Sequence, residues 1–513
     1  GAGAQGARGA GLLSVSRSRL SILFGPIVCG TAFGPLAAQC PDGSPPPCVR
    51  TIARPPAANS VAVLYFETRD TADAYLADGL SEDVTSLLGG LAGIQVMSSG
   101  MARRAQRSAP GNAPAIARAL GVRYLVDGNV RRIGARVRVS ARLLNGRTGV
   151  AAWSDLFDRT PDELLALPSV IAREVAARVA APGAGAGATL GRLPTRSPAA
   201  YDHYLRGNFF LALRSPEGIV RALSEYREAE RLDSGFAAAI GRAAYSYAIA
   251  LATTSQLPDV PVDSLAIRGL QVTDRALRRD STASDAWMAR GYLLAFANPL
   301  TMAGSTEAFE RALALDPKNA EAHHQYAAIL LWLGRTEDAD RELHLALALD
   351  PGRAISYSDL AQVHARDTTL AVTLIDSAVA LDPTSPLMRS RRARARQFAG
   401  DLRGALDDAE TANKLRPGNV VIENVLAIVL AQTGDTTRAR TLVGHWVERP
   451  DHWLVFAAMV AVGDSEAALD QLEASPPIPG LWSELHRWQF DALRGNPRFA
   501  RIMAALRPPG AVG

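Results

Sequence analysis

The hydrophobic positions of this chain follow two rhythms. Between residues 60 and 180 the rhythm keeps changing. Ser60-Val-Ala-Val-Leu-Tyr-Phe66 is a continuous apolar run of buried-strand length. Asp78 to Leu91 has helical spacing, with Ser81 placed to cap it, and Ile94 to Met97 predicts a short strand. Pro114 to Leu120 predicts a helix stopped by Gly121, followed by a strand from Val122 to Val130. Val137 to Leu144 alternates strictly, with Val137, Val139, Ala141 and Leu143 on one side and Arg138, Ser140 and Arg142 on the other; that is a strand with one wet face. Asn145-Gly146 predicts a tight turn, Ala151 to Phe157 the returning strand, and Pro161 to Ala180 an amphipathic helix. These elements predict a compact α/β domain with a mixed sheet over 60–180.

The second rhythm is helical and repetitive. It follows a Gly/Ala/Pro-rich stretch, 181–197, that reads as a flexible linker. Asp316-Pro317, Asp350-Pro351, Asp382-Pro383 and Arg416-Pro417 lie 34, 32 and 34 residues apart. Gly334, Gly400, Gly434 and Gly463 each precede an alanine by five residues: Ala339, Ala405, Ala439 and Ala468. One small-residue spacing recurs at Ala222/Tyr226/Ala229, Ala339/Leu343/Ala346, Ala371/Ile375/Ala378 and Ala405/Ala409/Ala412. The glycine lets the chain turn, and the alanines let two helices of a hairpin approach closely. Period, turn residue and packing residue coincide as in tetratricopeptide repeats, which stack into an α-solenoid. Clear units cover 201–233 and 285–450, the array runs over 198–475, and 476–513 predicts capping helices.

Upstream of both lies a different signal. Arg8, Arg17 and Arg19 precede an uncharged run from Leu20 to Pro41 that closes on Leu36-Ala37-Ala38-Gln39. A positive flank, an apolar centre and small residues at the end make 1–38 a signal peptide cleaved after Ala38 or, if retained, a membrane anchor. Both place the bulk of the protein in the periplasm or elsewhere outside the cytoplasmic membrane. Residues 39–59 read as a Pro-rich tether. Within it Cys40 and Cys48 bracket CPDGSPPPC, and in an oxidising compartment they would close a small disulfide or stand as two free thiols.

Composition narrows the function classes. The 513 residues are 48% hydrophobic, with 55 Lys+Arg against 51 Asp+Glu, so the chain is neither disordered nor a dedicated nucleic-acid binder. Nearly every cation is an arginine, since Lys318 and Lys414 are the two lysines.

Residues 60–180 resemble the TolB amino-terminal-like (FlgO-like) domain of bacterial envelope proteins. The resemblance lies in Val61-Ala-Val-Leu-Tyr-Phe66, Ala77-Asp-Gly-Leu-Ser-Glu-Asp83, Ala119-Leu-Gly-Val-Arg-Tyr-Leu-Val-Asp-Gly-Asn-Val-Arg-Arg132 and Trp153-Ser-Asp-Leu-Phe-Asp-Arg159. Tyr65 departs from it, standing where proline is commoner. Residues 198–507 resemble the tetratricopeptide array that often follows this domain, down to the ending Asp491-Ala-Leu-Arg-Gly-Asn-Pro-Arg-Phe499. In that wider group an adenylate cyclase, a kinase or a winged-helix region often sits upstream. The resemblance implies an accessory or scaffold role and assigns no chemistry to the α/β domain.

Catalytic and cofactor signatures are scarce. Neither lysine sits in a Gly-Lys-Ser/Thr phosphate loop. Gly1-Ala-Gly3-Ala-Gln-Gly6 matches a dinucleotide pattern but follows no strand. No cofactor and no metal are expected. His323 and His324 are adjacent on one helix and point to different faces, so they read as packing histidines. Asp78 and Glu82, with Asp83, form an acidic cluster; it reads either as acid/base chemistry or as acids favoured near a helix start by the dipole. Arg389-Ser-Arg-Arg-Ala-Arg-Ala-Arg396 lies in the first helix of a repeat, the helix that lines the groove of such arrays. Repeat register places His324, Ser358, Gln362, Arg366, Ser390, Arg394, Gln397 and Asn424 toward that groove. Arg366 and Arg394 would clamp a carboxylate there, or else belong to a solvated arginine face.

The expectation is therefore an α/β domain with a mixed sheet followed by an all-α tetratricopeptide domain. It would act as a non-catalytic envelope scaffold binding protein or peptide partners, acidic ones among them, with no nucleic acid and with membrane contact only through the N-terminal segment. A second expectation is the extracytoplasmic sensor portion of a single-pass signalling protein. An envelope enzyme using Asp78/Glu82 is the third.

Overall fold

The structure is a computed structural model that describes residues 56–180, 195–252, 257, 260–261, 264–447, 456–474, 479–486 and 488–508. These all fall within one compact unit, Ala38–Gly513. The signal segment, Cys40, Cys48 and most of the tether and linker lie outside the described residues.

Five strands form one mixed sheet: β1 (Ser60–Val63), β2 (Gln95–Val96), β3 (Tyr124–Ile133), β4 (Arg136–Asn145) and β5 (Ala151–Arg159). Their order is β2-β1-β3-β4-β5, with β1 parallel to both neighbours and β3-β4-β5 antiparallel. Alternation makes the two faces. Val137, Val139, Ala141 and Leu143 are fully buried and join Val61, Val63 and Val126 under α1 (Ala74–Gly89) and, beyond α4 (Pro161–Leu164), α5 (Leu167–Val179). Ala62, Leu64, Leu125 and Leu144 face the other way, under α2 (Ser99–Ser108) and α3 (Ala113–Leu120).

Local details differ from the expectation. α1 starts a turn before Asp78, so Ser81 is no cap: it is buried mid-helix, donating to the Ala77 carbonyl at 2.8 Å and accepting from the Phe66 amide at 2.9 Å. The β4–β5 turn is longer than Asn145-Gly146. Its left-handed residue is Gly149, and the Asn145 side chain accepts from the Arg147 amide at 3.0 Å. Helix α2 has no sequence counterpart in the expectation, because its arginine-rich run MARRAQRS lacks an apolar stripe beyond Ala102 and Ala105.

From Pro198 the described residues form eight helical hairpins. They are α6 (Pro198–Ala212) with α7 (Pro216–Leu232), α8 (Ala237–Ala252) with α9 (Leu265–Arg279), α10 (Ser284–Ala297) with α11 (Ser305–Leu315), and α12 (Ala320–Trp332) with α13 (Thr336–Leu349). Then follow α14 (Ala354–Val363) with α15 (Thr368–Leu381), α16 (Pro386–Phe398) with α17 (Leu402–Leu415), α18 (Val420–Gln432) with α19 (Thr436–Val447), and α20 (Phe456–Ala461) with α21 (Ser465–Ala474). Two short helices, α22 (Leu481–Leu485) and α23 (Pro497–Leu506), end the described chain. Gly334, Gly400, Gly434 and Gly463 take positive φ at the hairpin turns, where a side chain would be strained. Ala339, Ala405, Ala439 and Ala468 behind them are fully buried. The Asp-Pro step is a stop as well as a period: the Asp316 carboxylate accepts from the Lys318 amide at 3.1 Å, while proline cannot continue the helix.

The two domains are in direct contact. Tyr201 and Leu205 of α6 belong to the core of the sheet domain. Tyr75 donates to Asp202 at 2.5 Å, and the Tyr201 hydroxyl donates to Asp83. At the far end α2 meets the turns between repeats: Ser98 donates to Asp350 at 2.6 Å and Arg104 to the Leu381 carbonyl at 2.5 Å. The predicted linker also ends early. Thr195 is buried, with its hydroxyl 2.5 Å from Asp233.

Candidate functional site: the inner face of the repeat array

The first helices of successive hairpins pack on one another through α6, α8, α10, α12, α14, α16, α18 and α20, and they make a continuous inner face. Two carboxylates organise it. Asp359 on α14 is buried and accepts from His324 Nε2 at 2.9 Å, Arg391 Nη1 at 2.5 Å and Gln362 Nε2 at 3.0 Å. Burial pushes its pKa up, but the Arg391 guanidinium and the His324 contact outweigh it and hold the acid at about 2. Ser358 accepts from Arg391 at 2.8 Å.

Glu321, at the start of α12, is the second centre. It accepts from Tyr245 of α8 at 2.5 Å and Gln325 at 2.8 Å, pairs with Arg353, and meets Arg214 of the first hairpin turn at 3.5 Å. Arg214 is one of two non-glycine residues with positive φ among the described residues, at 48°. Burial lowers the Arg353 pKa to about 10, with Tyr245 opposing and Arg214 adding to the fall. Arg353 Nε and His324 Nδ1 are buried without a hydrogen-bond partner. His324 Nε2 donates to Asp359, which leaves Nδ1 as the ring's remaining polar atom.

The predicted groove residues divide accordingly. His324, Ser358 and Gln362 converge on the Asp359–Arg391 centre. Gln397 donates to Gln432 at 2.9 Å, and Asn424 accepts from the Ala458 amide at 3.2 Å, which ties neighbouring first helices together. Ser390 is buried. Arg394 reaches Glu484 of α22 at 3.5 Å. Arg366 lies off the first helix on which the repeat register puts it: α14 ends at Val363, and Arg366 sits in the exposed turn that follows. Glu321, Arg353 and Arg391 carry the site and were missed. Arg391 was hidden inside the arginine run, and the other two stand at helix starts, outside the repeat register.

The arginine run itself is neither solvated nor free for a polyanion. Arg392 grips Asp408 with two bonds of 2.7 and 2.6 Å, Arg396 reaches it at 2.8 Å and Arg389 at 3.6 Å. Asp408 is fully buried. One face of α16 therefore locks its own hairpin, and the other faces the groove.

The acidic cluster is also structural. Asp78 pairs with Arg103 at 2.8 Å, Glu82 accepts from the Tyr65 hydroxyl at 2.9 Å, and the Arg103 guanidinium lies 3.5 Å from the Tyr65 ring centroid. Burial and Glu82 raise the Tyr65 pKa. Asp78 lies beyond the first turn of α1, so its partner is a guanidinium and not the helix dipole. Among the described residues no cluster of His, Cys, Asp and Glu could hold a metal ion. Nor is any described helix long and apolar enough to cross a membrane.

A tetratricopeptide repeat family model matches residues 303–366, which span α11 to α14. The helical half is an array of stacked hairpins of tetratricopeptide-like form, with the family match confined to that segment. Over 125 residues the chain is 34% identical to "Putative adenylate cyclase 3" of Rhizobium meliloti, covering 23% of this chain and 21% of that protein. The chain thus spans about a fifth of the length of that relative. Among solved structures it is similar to yeast Tom70, with TM-score 0.39 and 17% identity over 61% of this chain and 65% of that one. It is also similar to YrrB, a tetratricopeptide protein described as having an unusual peptide-binding site, with TM-score 0.27 and 16% identity over 38% of this chain and 95% of that one. PilF of Pseudomonas aeruginosa gives TM-score 0.34 and 14% identity over 46% of this chain and 98% of that one. These superpositions are loose, and the repeat character rests on the matched segment and on the hairpins themselves.

Proposed function

We propose that the protein is a non-catalytic interaction scaffold that holds an extended peptide or protein segment, acidic in character, on the inner face of its repeats. The observations that carry this reading are unsatisfied buried atoms on the first helices and their starts, Arg353 Nε and His324 Nδ1, and a guanidinium on another first helix, Arg394, whose carboxylate partner comes from outside the repeats. Buried polar atoms without partners cost stability and are commonly completed by a ligand or water. The sheet domain, docked on α6 and on the inter-repeat turns, fixes the array's orientation and leaves its own outer surface for a second partner. The basic flank and uncharged run within 1–38, read as a leader, support a location outside the cytoplasmic membrane, in the periplasm or tethered to the membrane. The test is capture of crosslinked envelope proteins by the whole chain. Arg394→Glu should lower capture at least tenfold with an unchanged melting temperature, while Arg366→Glu in the exposed turn should not. Capture indifferent to Arg394 would refute the groove.

A second reading has an observation of its own, the likeness to a protein named a putative adenylate cyclase. In it the chain is the sensing portion of a single-pass signalling protein. Mass analysis of the native protein decides between them. A mature terminus at Gln39 supports the secreted scaffold, whereas a membrane-bound species that retains the leader supports the sensor. Reductant-dependent blocking of Cys40 and Cys48 would report the disulfide.

A further inference from the structure

α22 follows the eighth hairpin, yet it touches the first helices of the fourth and sixth, α12 and α16. A segment that bridges first helices lies across the inner face. Its contacts are specific. Gly480, with φ +77°, opens α22 against the indole of Trp332, and a Cβ there would stand 2.4 Å from Trp332 Cδ1. Trp332 in turn packs against Tyr292 and Phe296 of α10, tilted to the first and edge-on to the second, each at 5.8 Å between ring centroids. Four residues on, Glu484 meets Arg394 at 3.5 Å. Gly480 and Glu484 share one face of the helix, and Leu481 and Leu485 share another, buried in the C-terminal cluster. One face of α22 thus anchors it to the array's end, and the other occupies the groove through a glycine backbone and the long Glu484–Arg394 ion pair. Half-exposed pairs of that length hold little.

We propose that α22 is a resident competitor for the inner face, and that the external partner is a short acidic segment that sets a small residue on Trp332 and a carboxylate on Arg394. This rests on the groove reading above. The partner then binds at an apparent affinity reduced by the fraction of molecules whose α22 has left the groove. Weakening the Glu484 contact raises affinity without touching the groove itself.

The probe is a fluorescein-labelled synthetic peptide of residues 479–486, titrated with the whole chain by fluorescence anisotropy. Glu484→Arg, whose new charge Arg394 repels, should bind the peptide at least tenfold more tightly than the parent. In a Glu484→Gln background, which leaves α22 no charge to pair with, Arg394→Glu should abolish binding, and a peptide carrying Arg at the Glu484 position should restore it. Glu484 is part-exposed, so the variant should melt like the parent; if it does not, Glu484→Gln takes its place. Equal affinity for parent and Glu484 variants, or binding that ignores Arg394, overturns the proposal. Equal affinities together with envelope capture that still needs Arg394 would remove the competitor and keep the groove. Capture indifferent to Arg394 would remove the groove itself.

Discussion

Asp83 and Asp359 each sit between two elements, and they titrate in opposite senses. Asp83 lies where α1 meets α6, facing the Tyr201 hydroxyl. Burial and the neighbouring Glu82 raise it to about 6, against the pull of the Tyr201 hydrogen bond. Asp359 lies on the inner face, and burial pushes it the same way, but Arg391 and His324 bring it down to about 2. The difference is the partner. A hydroxyl offers one hydrogen bond and no charge, so desolvation wins; a guanidinium offers both, and the ion survives burial. The junction between the domains is consequently an acid-favoured contact, and the groove is a permanently ionised one.

Asp408 is the extreme of this contrast, fully buried under three arginines, and it gives the largest expected effect. Asp408→Ala should cost about 3–5 kcal/mol in denaturant unfolding, because Arg389, Arg392 and Arg396 lose a shared counter-ion. A cost under about 1 kcal/mol would show those arginines to be solvated after all. Next is the acid limb. The Asp359 pKa is depressed, so its contribution is full above the unfolded value near 4 and is lost as pH falls toward 2. Between those pH values the parent should lose about 2 kcal/mol more than Asp359→Asn. At Asp83 the sign reverses. The pKa is raised, so its contribution is full below about 4 and is lost as pH rises through about 6. The parent should lose about 1–2 kcal/mol across that window, and Asp83→Asn should flatten the curve. Parallel melting curves of the two proteins from pH 4 to 7 would break the comparison. Smallest in stability is Arg394→Glu, at about 0.5 kcal/mol or less for a part-exposed pair, although its effect on capture should be large.

Much of the architecture was readable because the signals are local. Val137, Val139, Ala141 and Leu143 alternate in sequence and are all buried in β4. The glycine-to-alanine spacing marks four of the eight described hairpins, since a tight turn and a close helix contact both act within one repeat. α2 was unreadable because it is held by contacts with distant residues, Asp78, Asp350 and Leu381, and not by an apolar stripe of its own. Part of the site was readable for the same local reason: repeat register brought His324, Ser358 and Gln362 to the groove. It failed at Arg366, where α14 ends one turn short, and it missed Glu321 and Arg353, whose partners lie in other hairpins.

The sequence by itself determined the two-part plan, a mixed sheet followed by stacked helical hairpins, because strand alternation, glycine turns and alanine packing are set by near neighbours. Only the tertiary structure decided the use of each charge. α16 carries five arginines in eight residues, and composition cannot tell them apart. Rotation about one helix axis sends Arg392 and Arg396 into Asp408, sends Arg391 to Asp359 and leaves Arg394 to the C-terminal α22. Partners up to 90 residues away, as in Arg394–Glu484, are chosen by how the hairpins stack and where the chain's end returns, and no local pattern encodes that.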